Sequence, residues 1–340
     1  MLLAGDVGGT KTLLGLFARA PERPTRIEVG EFITLDYDNL APMIREFLKA
    51  NGLEPRAIDA TSFGVAGAVT DEVARMTNVP WVVDAAAVTQ AAGLRRVHVI
   101  NDLEAMAHSI PVLEPSELAV LQQGIAQPTG NAAVIAAGTG LGEALLLNLD
   151  GRFVPGASEG GHADWGARTP REIEMLAALT RVYGRCSVEH VICGPGLVNI
   201  YQFTHDAFGS RTFITPAAFV PARTCAGVGA VDDPADLPAA ISRSALEQRC
   251  PKCVESLAMF VAAYGAEAGN LALRMVATAG VYVGGGIAPK ILPAIESGVF
   301  VDAFRSKAPM DAFVATIPVA VILNSEAGLL GAAVHANSAA

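Results

Sequence analysis

Leu2-Leu3-Ala4-Gly5-Asp6-Val7-Gly8-Gly9-Thr10, followed by an apolar run at 13–17, reads as a strand, a glycine loop and a second strand. A short apolar run bounded by glycines has the length and punctuation of a buried strand. Its resumption just past the loop predicts a hairpin. The same pattern returns later as the apolar run 134–137, the loop Gly138-Thr139-Gly140-Leu141-Gly142 and the run 144–149. That echo points to two structurally similar halves. Further short apolar runs at 63–66, 97–100, 281–283 and 319–323 also end in Gly, Asp or Asn or just short of one. Longer helix-like patterns lie between several of these runs, at 41–50, 171–183 and 253–277. Such alternation predicts an α/β architecture.

A second unit is expected to begin after Pro111, and the apolar helix at 328–335 is expected to return to the first. The division expected is therefore 1–112 with 325–340 as a small domain, and 113–324 as a large one. Residues 206–236 dissolve into Gly, Pro, Ser and Thr and read as a long surface excursion.

At 340 residues the chain is long enough for two cores. A net charge of −10, with no cluster of Lys or Arg to offset it, argues against nucleic acid or an anionic membrane as partner. Mean hydropathy is high at +0.39, yet stretches such as 275–289 are too short and too often interrupted by glycine to span a bilayer. There is no basic leader ahead of Leu2, and five cysteines is an odd number, so a reducing cytoplasm is the expected compartment.

Both glycine loops suit phosphate, because glycine lets backbone N–H groups approach an anion closely and Thr10 adds a hydroxyl donor. Asp6 would repel phosphate directly but can meet it through Mg²⁺. Gly284-Gly285-Gly286 forms a third backbone-accessible patch, flat enough for a nucleobase or ribose. Ile100-Asn101-Asp102 brings a carboxylate to the tip of a strand, where open α/β sheets bind ligands. Glu159, His162 and Glu189 join Asn101 as groups matched to a ligand with many hydroxyls. Each motif also has an ordinary reading, as a hairpin turn, a bulge or a strand-end turn. Cys250-Pro251-Lys252-Cys253 has no second pair or histidine close by in sequence and reads as cysteines at a helix start.

Taken together, these residues resemble those of bacterial glucokinases in the hexokinase/actin-like ATPase superfamily, from Leu2 to about His335. The motifs are DVGGT at 6–10, MTNVPW at 76–81, IND at 100–102, AAGTGLG at 136–142, EGGH at 159–162, SVEHVICGPGLVNIY at 187–201, GGGI at 284–287 and GLLGAA at 328–333. Ala68 stands where the family usually has proline, and Glu143 where a small or apolar residue is commoner. The cysteine-rich zinc element of the related ROK sugar kinases is absent, which favours the glucokinase branch.

The resemblance implies a two-domain actin-like ATPase fold around a deep cleft, with ATP and Mg²⁺ as cofactors, a homodimer, and entry of glucose into glycolysis as glucose 6-phosphate. It makes Asp102 the catalytic base. Asn101, Glu159, His162 and Glu189 would bind the sugar, and Gly8, Gly9, Thr10, Gly138, Thr139 and Gly140 the phosphates. Gly284, Gly285 and Gly286 would lie at the adenosine, and Asp6 near Mg²⁺. The rivals are a kinase for mannose or fructose, one using polyphosphate or ADP as donor, and a non-catalytic sugar sensor. Sensors of this superfamily carry a DNA-binding helix-turn-helix ahead of the fold, whereas here four residues precede the first glycine loop.

Overall fold

Leu2, Leu3, Ala4 and Val7 have no exposure to solvent. A strand apolar on both faces belongs in the middle of a sheet covered on both sides. The computed structural model, which describes residues 1–76, 79–206 and 224–339, places it there. β1 (Leu2–Val7), β2 (Lys11–Ala18) and β3 (Thr25–Ile33) form an antiparallel meander. After them come α1 (Leu40–Ala50), β4 (Ala60–Val65) and the short strands β5 (Val69–Thr70), β6 (Val73–Arg75) and β7 (Val82–Asp84). Next are α2 (Ala85–Ala92), β8 (Val97–Asn101) and α3 (Asp102–Ser109). The sheet order is β3-β2-β1-β4-β8, with β1, β4 and β8 parallel, while β5-β6-β7 make a small antiparallel sheet.

Alternation along the strands sends side chains to opposite faces. Leu3, Leu14, Phe63 and Val99 pack under α1 and α2, whereas Leu2, Ala4, Phe17 and Ala60 share the other core with α3 and the C-terminal helix.

The chain continues with β9 (Leu118–Gln122), β10 (Ala132–Ala137), β11 (Leu141–Leu149), β12 (Arg152–Ser158), α4 (Pro170–Tyr183), α5 (Gly194–Thr204), α6 (Leu237–Leu246) and α7 (Pro251–Met275). It closes with β13 (Gly280–Gly284), α8 (Leu292–Ile295), α9 (Val299–Arg305), α10 (Asp311–Val314), β14 (Val319–Ile322) and α11 (Ala327–Ala339). The second sheet runs β12-β11-β10-β13-β14-β9, with β10, β13 and β14 parallel. Its first five places repeat the order of the first sheet, so the echo seen in the glycine loops extends to topology.

Compactness divides the chain into Met1–Leu118 with Ala144–Ala157 and Asn324–Ala340, and Ala119–Glu143 with Ser158–Leu323. α11 belongs to the first of these units and packs on β1, β4 and α3. Gly331 makes that packing possible, because a Cβ there would stand 1.7 Å from Ala105 O. No helix among the described residues is long and apolar enough to cross a membrane.

The expected strands and helices are all present, with ends shifted by up to a few residues. β3 was not expected: it is an edge strand, largely exposed, with charged residues breaking its apolar pattern. Two further expectations fall partly outside the described residues: Thr77 and Asn78 of the MTNVPW motif, and 207–223 of the excursion.

Candidate active site

In the first unit the strand ladder brings two candidate residues, Asp6 and Asn101, to the same end of the sheet. Asp6 on β1 lies opposite Gly64 on β4, and Val65 lies opposite Asn101 at the end of β8. Asn101 is the N-cap of α3, its side-chain oxygen accepting from Leu103 N at 2.9 Å and Glu104 N at 3.2 Å. Its amide nitrogen donates to Gly67 O at 3.0 Å. Among the described residues, the oxygen is therefore committed to the helix and one amide proton to the neighbouring loop, which leaves a single N–H.

Asp102 is the first residue of α3, and its carboxylate accepts from Leu103 N at 3.0 Å. Gly64 lets α3 sit close to β4, since a Cβ there would come within 2.6 Å of the Ala105 methyl.

The first glycine loop is braced from below. Gly8 N donates to Lys11 O at 3.0 Å, and Thr34 Oγ1 donates to Gly8 O at 2.8 Å. A Cβ on Gly8 would meet Lys11 O at 2.8 Å, so the turn needs a glycine at this position. Thr10 is exposed and Gly9 half-buried. Burial pushes the Asp6 carboxyl up to about 6, and nearby Lys11 offsets this only in part. A desolvated carboxylate of this kind fits a hard divalent cation.

In the second unit the loop between β10 and β11 is only Gly138-Thr139-Gly140, tightened by Gly138 N donating to Gly140 O at 2.8 Å. The expected loop ran to Gly142, but Leu141 and Gly142 already belong to β11. Glu189 clasps this loop, its Oε2 accepting from Leu141 N at 2.8 Å, and a Cβ on Gly140 would come within 2.6 Å of the same oxygen.

Glu159 precedes and His162 ends a short 3-10 turn at 160–162, with His162 Nε2 3.8 Å from Glu159 Oε2 and both side chains mostly exposed. Glu189 N donates to Gly161 O at 2.8 Å, which ties the EGGH turn to Glu189. Beneath this turn lies Glu143, 1% exposed, whose Oε1 has no hydrogen-bond partner among the described residues. Burial, and then the charge of Glu267, raise it to about 7 against the pull of Arg274.

The parallel register sets Ala136 at the end of β10 beside Gly284 at the end of β13. The three glycines that follow β13 differ in role. Gly284 O accepts from Tyr264 Oη at 3.2 Å. Gly285, at φ +84°, lies so close to Ala137 O that a Cβ would be 2.4 Å away. Only Gly286 opens on space.

Gly286 lines a cavity of about 770 Å³ together with Gly138, Thr139, Asn199, Pro238 and Lys290. The N-terminus of α5 borders it, and Gly194 N donates to Gly138 O at 2.8 Å. A cavity of this size with convergent backbone groups accepts a ligand as large as a nucleotide.

The model of the glucokinase family matches residues 3–339. The chain belongs to the glucokinase family. A glucokinase of Nostoc punctiforme is 38% identical, the match covering 99% of this chain and 98% of that one. The structure of a glucokinase from an Antarctic psychrotroph superposes with a TM-score of 0.82 at 26% identity, over 99% of this chain and 98% of that one. A ROK family glucokinase of Streptomyces griseus, solved with glucose and AMPPNP, shares the fold with a TM-score of 0.64 at 22% identity, over 99% of each chain. The fold is the actin-like ATPase fold of these sugar kinases.

Within this glucokinase family chain, sequence reasoning missed the wall of the cavity formed by α6 and Lys290. α6 is short and rich in Ala and Ser, and no motif marks it. Tyr183 and Asn199 escaped for a different reason. They are joined by a 2.8 Å hydrogen bond across 16 residues, a pairing that only the packing of α4 and α5 creates.

Proposed function

We propose that the protein transfers the γ-phosphoryl group of ATP to the 6-hydroxyl of D-glucose, giving glucose 6-phosphate and ADP. The observation that carries this reading is Asp102, a carboxylate at the tip of β8 on the first residue of α3. Its role is that of general base. As the sugar oxygen attacks the γ-phosphorus in line, the O–P bond to glucose forms, the bond to ADP breaks and the hydroxyl proton passes to Asp102. Proton removal of this kind contributes on the order of 10²–10⁴-fold.

Asn101, with its one remaining N–H, and Glu159, His162 and Glu189 are assigned to the sugar hydroxyls. Gly8, Gly9 and Thr10, with Gly138, Thr139 and Gly140, are assigned to the phosphates. The cavity beside Gly286 is assigned to the adenosine, and Gly284 and Gly285 anchor that turn against Tyr264 and β10. Backbone N–H groups in such loops stabilise charge that builds on the transferring oxygens. Asp6 would hold Mg²⁺, an ion that neutralises phosphate oxygens. A cytoplasmic homodimer completes the reading.

The test is a coupled assay for sugar 6-phosphate, run with glucose, mannose and fructose against ATP, ADP and polyphosphate. Glucose with ATP is expected to give the highest kcat/KM. A higher value for another pair would reassign the substrate. No turnover with any pair would leave a sugar-binding role without catalysis.

A further inference from the structure

At the end of α5 opposite Gly194, an imidazole and three thiols from distant parts of the second unit converge. His205 follows α5 directly, Cys225 opens a turn, Cys250 is the N-cap of α7 and Cys253 lies in its first turn. Their ligand atoms all lie within 4.8 Å of one another. The pair at 250–253, which looked isolated in sequence, thus has both the histidine and the third cysteine it lacked. We propose that His205 Nε2 and the sulfurs of Cys225, Cys250 and Cys253 form a tetrahedral structural zinc site.

Three observations carry the proposal. The first is spacing. Zn–S bonds of about 2.3 Å and Zn–N bonds of about 2.0 Å put the edges of a tetrahedron near ~3.8 Å between sulfurs and ~3.5 Å between sulfur and nitrogen. Cys225 Sγ and Cys253 Sγ are 3.7 Å apart, and Cys250 Sγ is 3.5 Å from His205 Nε2. A disulfide would need the two sulfurs at about 2.05 Å.

The second is the outer support. His205 Nδ1 lies 2.8 Å from Tyr201 O, so the proton sits on Nδ1 and the lone pair of Nε2 points to the thiols. Ligating histidines are oriented in this way. Tyr201 Oη in turn accepts from Cys225 N at 2.8 Å. The third is a turn shaped to bring the ligands together. Val228 N and Gly229 N both donate to Cys225 O at 3.0 Å, and Gly227 has no room for a side chain, since a Cβ would lie 2.8 Å from that of Cys250.

Four protein ligands close the coordination sphere, which suits a structural rather than a catalytic ion. Soft thiolates with one imidazole favour zinc over magnesium or calcium. The position explains what the ion would do. Cys225 and Cys250 bracket α6, which lines the 770 Å³ cavity, and His205 and Cys225 bracket the segment between α5 and that turn. One ion therefore staples α5, α7 and both approaches to α6.

The experiment is elemental analysis of the full-length protein purified without chelator, with thiol counting under denaturing conditions. About one zinc per chain is expected, falling to about a tenth or less in Cys225→Ser and Cys250→Ser. Cobalt exchanged into the wild-type protein should show tetrahedral d–d bands and thiolate-to-cobalt charge transfer, a readout that does not depend on the variants folding or on turnover. Removing the metal should lower the melting temperature, and added zinc should restore it. Less than about 0.1 equivalent of metal with all five thiols free, or a disulfide between Cys225 and Cys253, would overturn the proposal.

Discussion

Replacing Glu143 by Gln should change how stability depends on pH. Glu143 is 1% exposed and its carboxyl is raised from 4.5 to about 7, chiefly by burial. A raised carboxyl binds its proton more tightly in the native state than in the unfolded chain. The native state is thus favoured at low pH, and this advantage is lost as pH rises from about 4.5 to about 7. Each pH unit in that window is worth about 1.4 kcal/mol, so ionising the folded protein at pH 8.5 costs about 3 kcal/mol relative to pH 4. Glutamine keeps the shape and cannot ionise.

The variant should therefore match the wild type near pH 5 and exceed it at pH 8.5 by about 2–3 kcal/mol. For a unit of this size, at about 2–4 °C per kcal/mol, the difference in melting temperature is about 4–12 °C. Differential scanning fluorimetry at half-unit steps of pH, on both proteins in the same buffers, reads it directly, because other titrating groups cancel in the difference. Parallel melting curves from pH 5 to 8.5 would refute the reasoning, since they would mean that Glu143 titrates alike in the folded and unfolded chains.

Other predictions follow from single contacts. Asp102→Asn should reduce kcat by on the order of 10²–10⁴-fold while glucose KM moves only a few-fold; retention of more than about a tenth of the turnover would remove Asp102 from the mechanism. His162→Ala should raise the KM for glucose and leave that for ATP nearly unchanged, and a change in the ATP value alone would move the EGGH turn to the nucleotide. Burial, reinforced by a neighbouring imidazole in each case, holds His108 and His335 down at about 4, so stability should be lost as pH falls from about 6.5 to 4. His108→Leu should flatten that acid limb, and an unchanged slope of melting temperature against pH would count against the assignment. Gly331→Ala places a methyl on Ala105 O and should cost about 1–3 kcal/mol, seen as a lower melting temperature.

The candidate site was legible in unequal degrees. Asp102 was readable as a strand-tip carboxylate because only Asn101 separates it from the end of the apolar run at 97–100. The double duty of Asn101, as helix cap and donor to Gly67, was not, because Gly67 lies 34 residues earlier and meets Asn101 only once β4 and β8 pair. The three glycines at 284–286 read alike as letters. Their roles diverge because Gly285 abuts β10, while Gly286 faces the cavity.

By itself the sequence determined the strand–glycine loop–strand units, their repetition and the α/β class. These depend on periodicity and on backbone freedom within a few residues, and neighbours along the chain encode both. Only the tertiary structure decided what lies beneath and beyond those loops. Glu143 becomes a buried acid because the EGGH turn closes over it, with a Cβ on Gly160 leaving just 2.0 Å to its carboxylate. His205 meets Cys250 across 45 residues because α5, α6 and α7 pack together. Desolvation and convergence of this kind are properties of volume shared between distant segments, and local spacing carries no record of them.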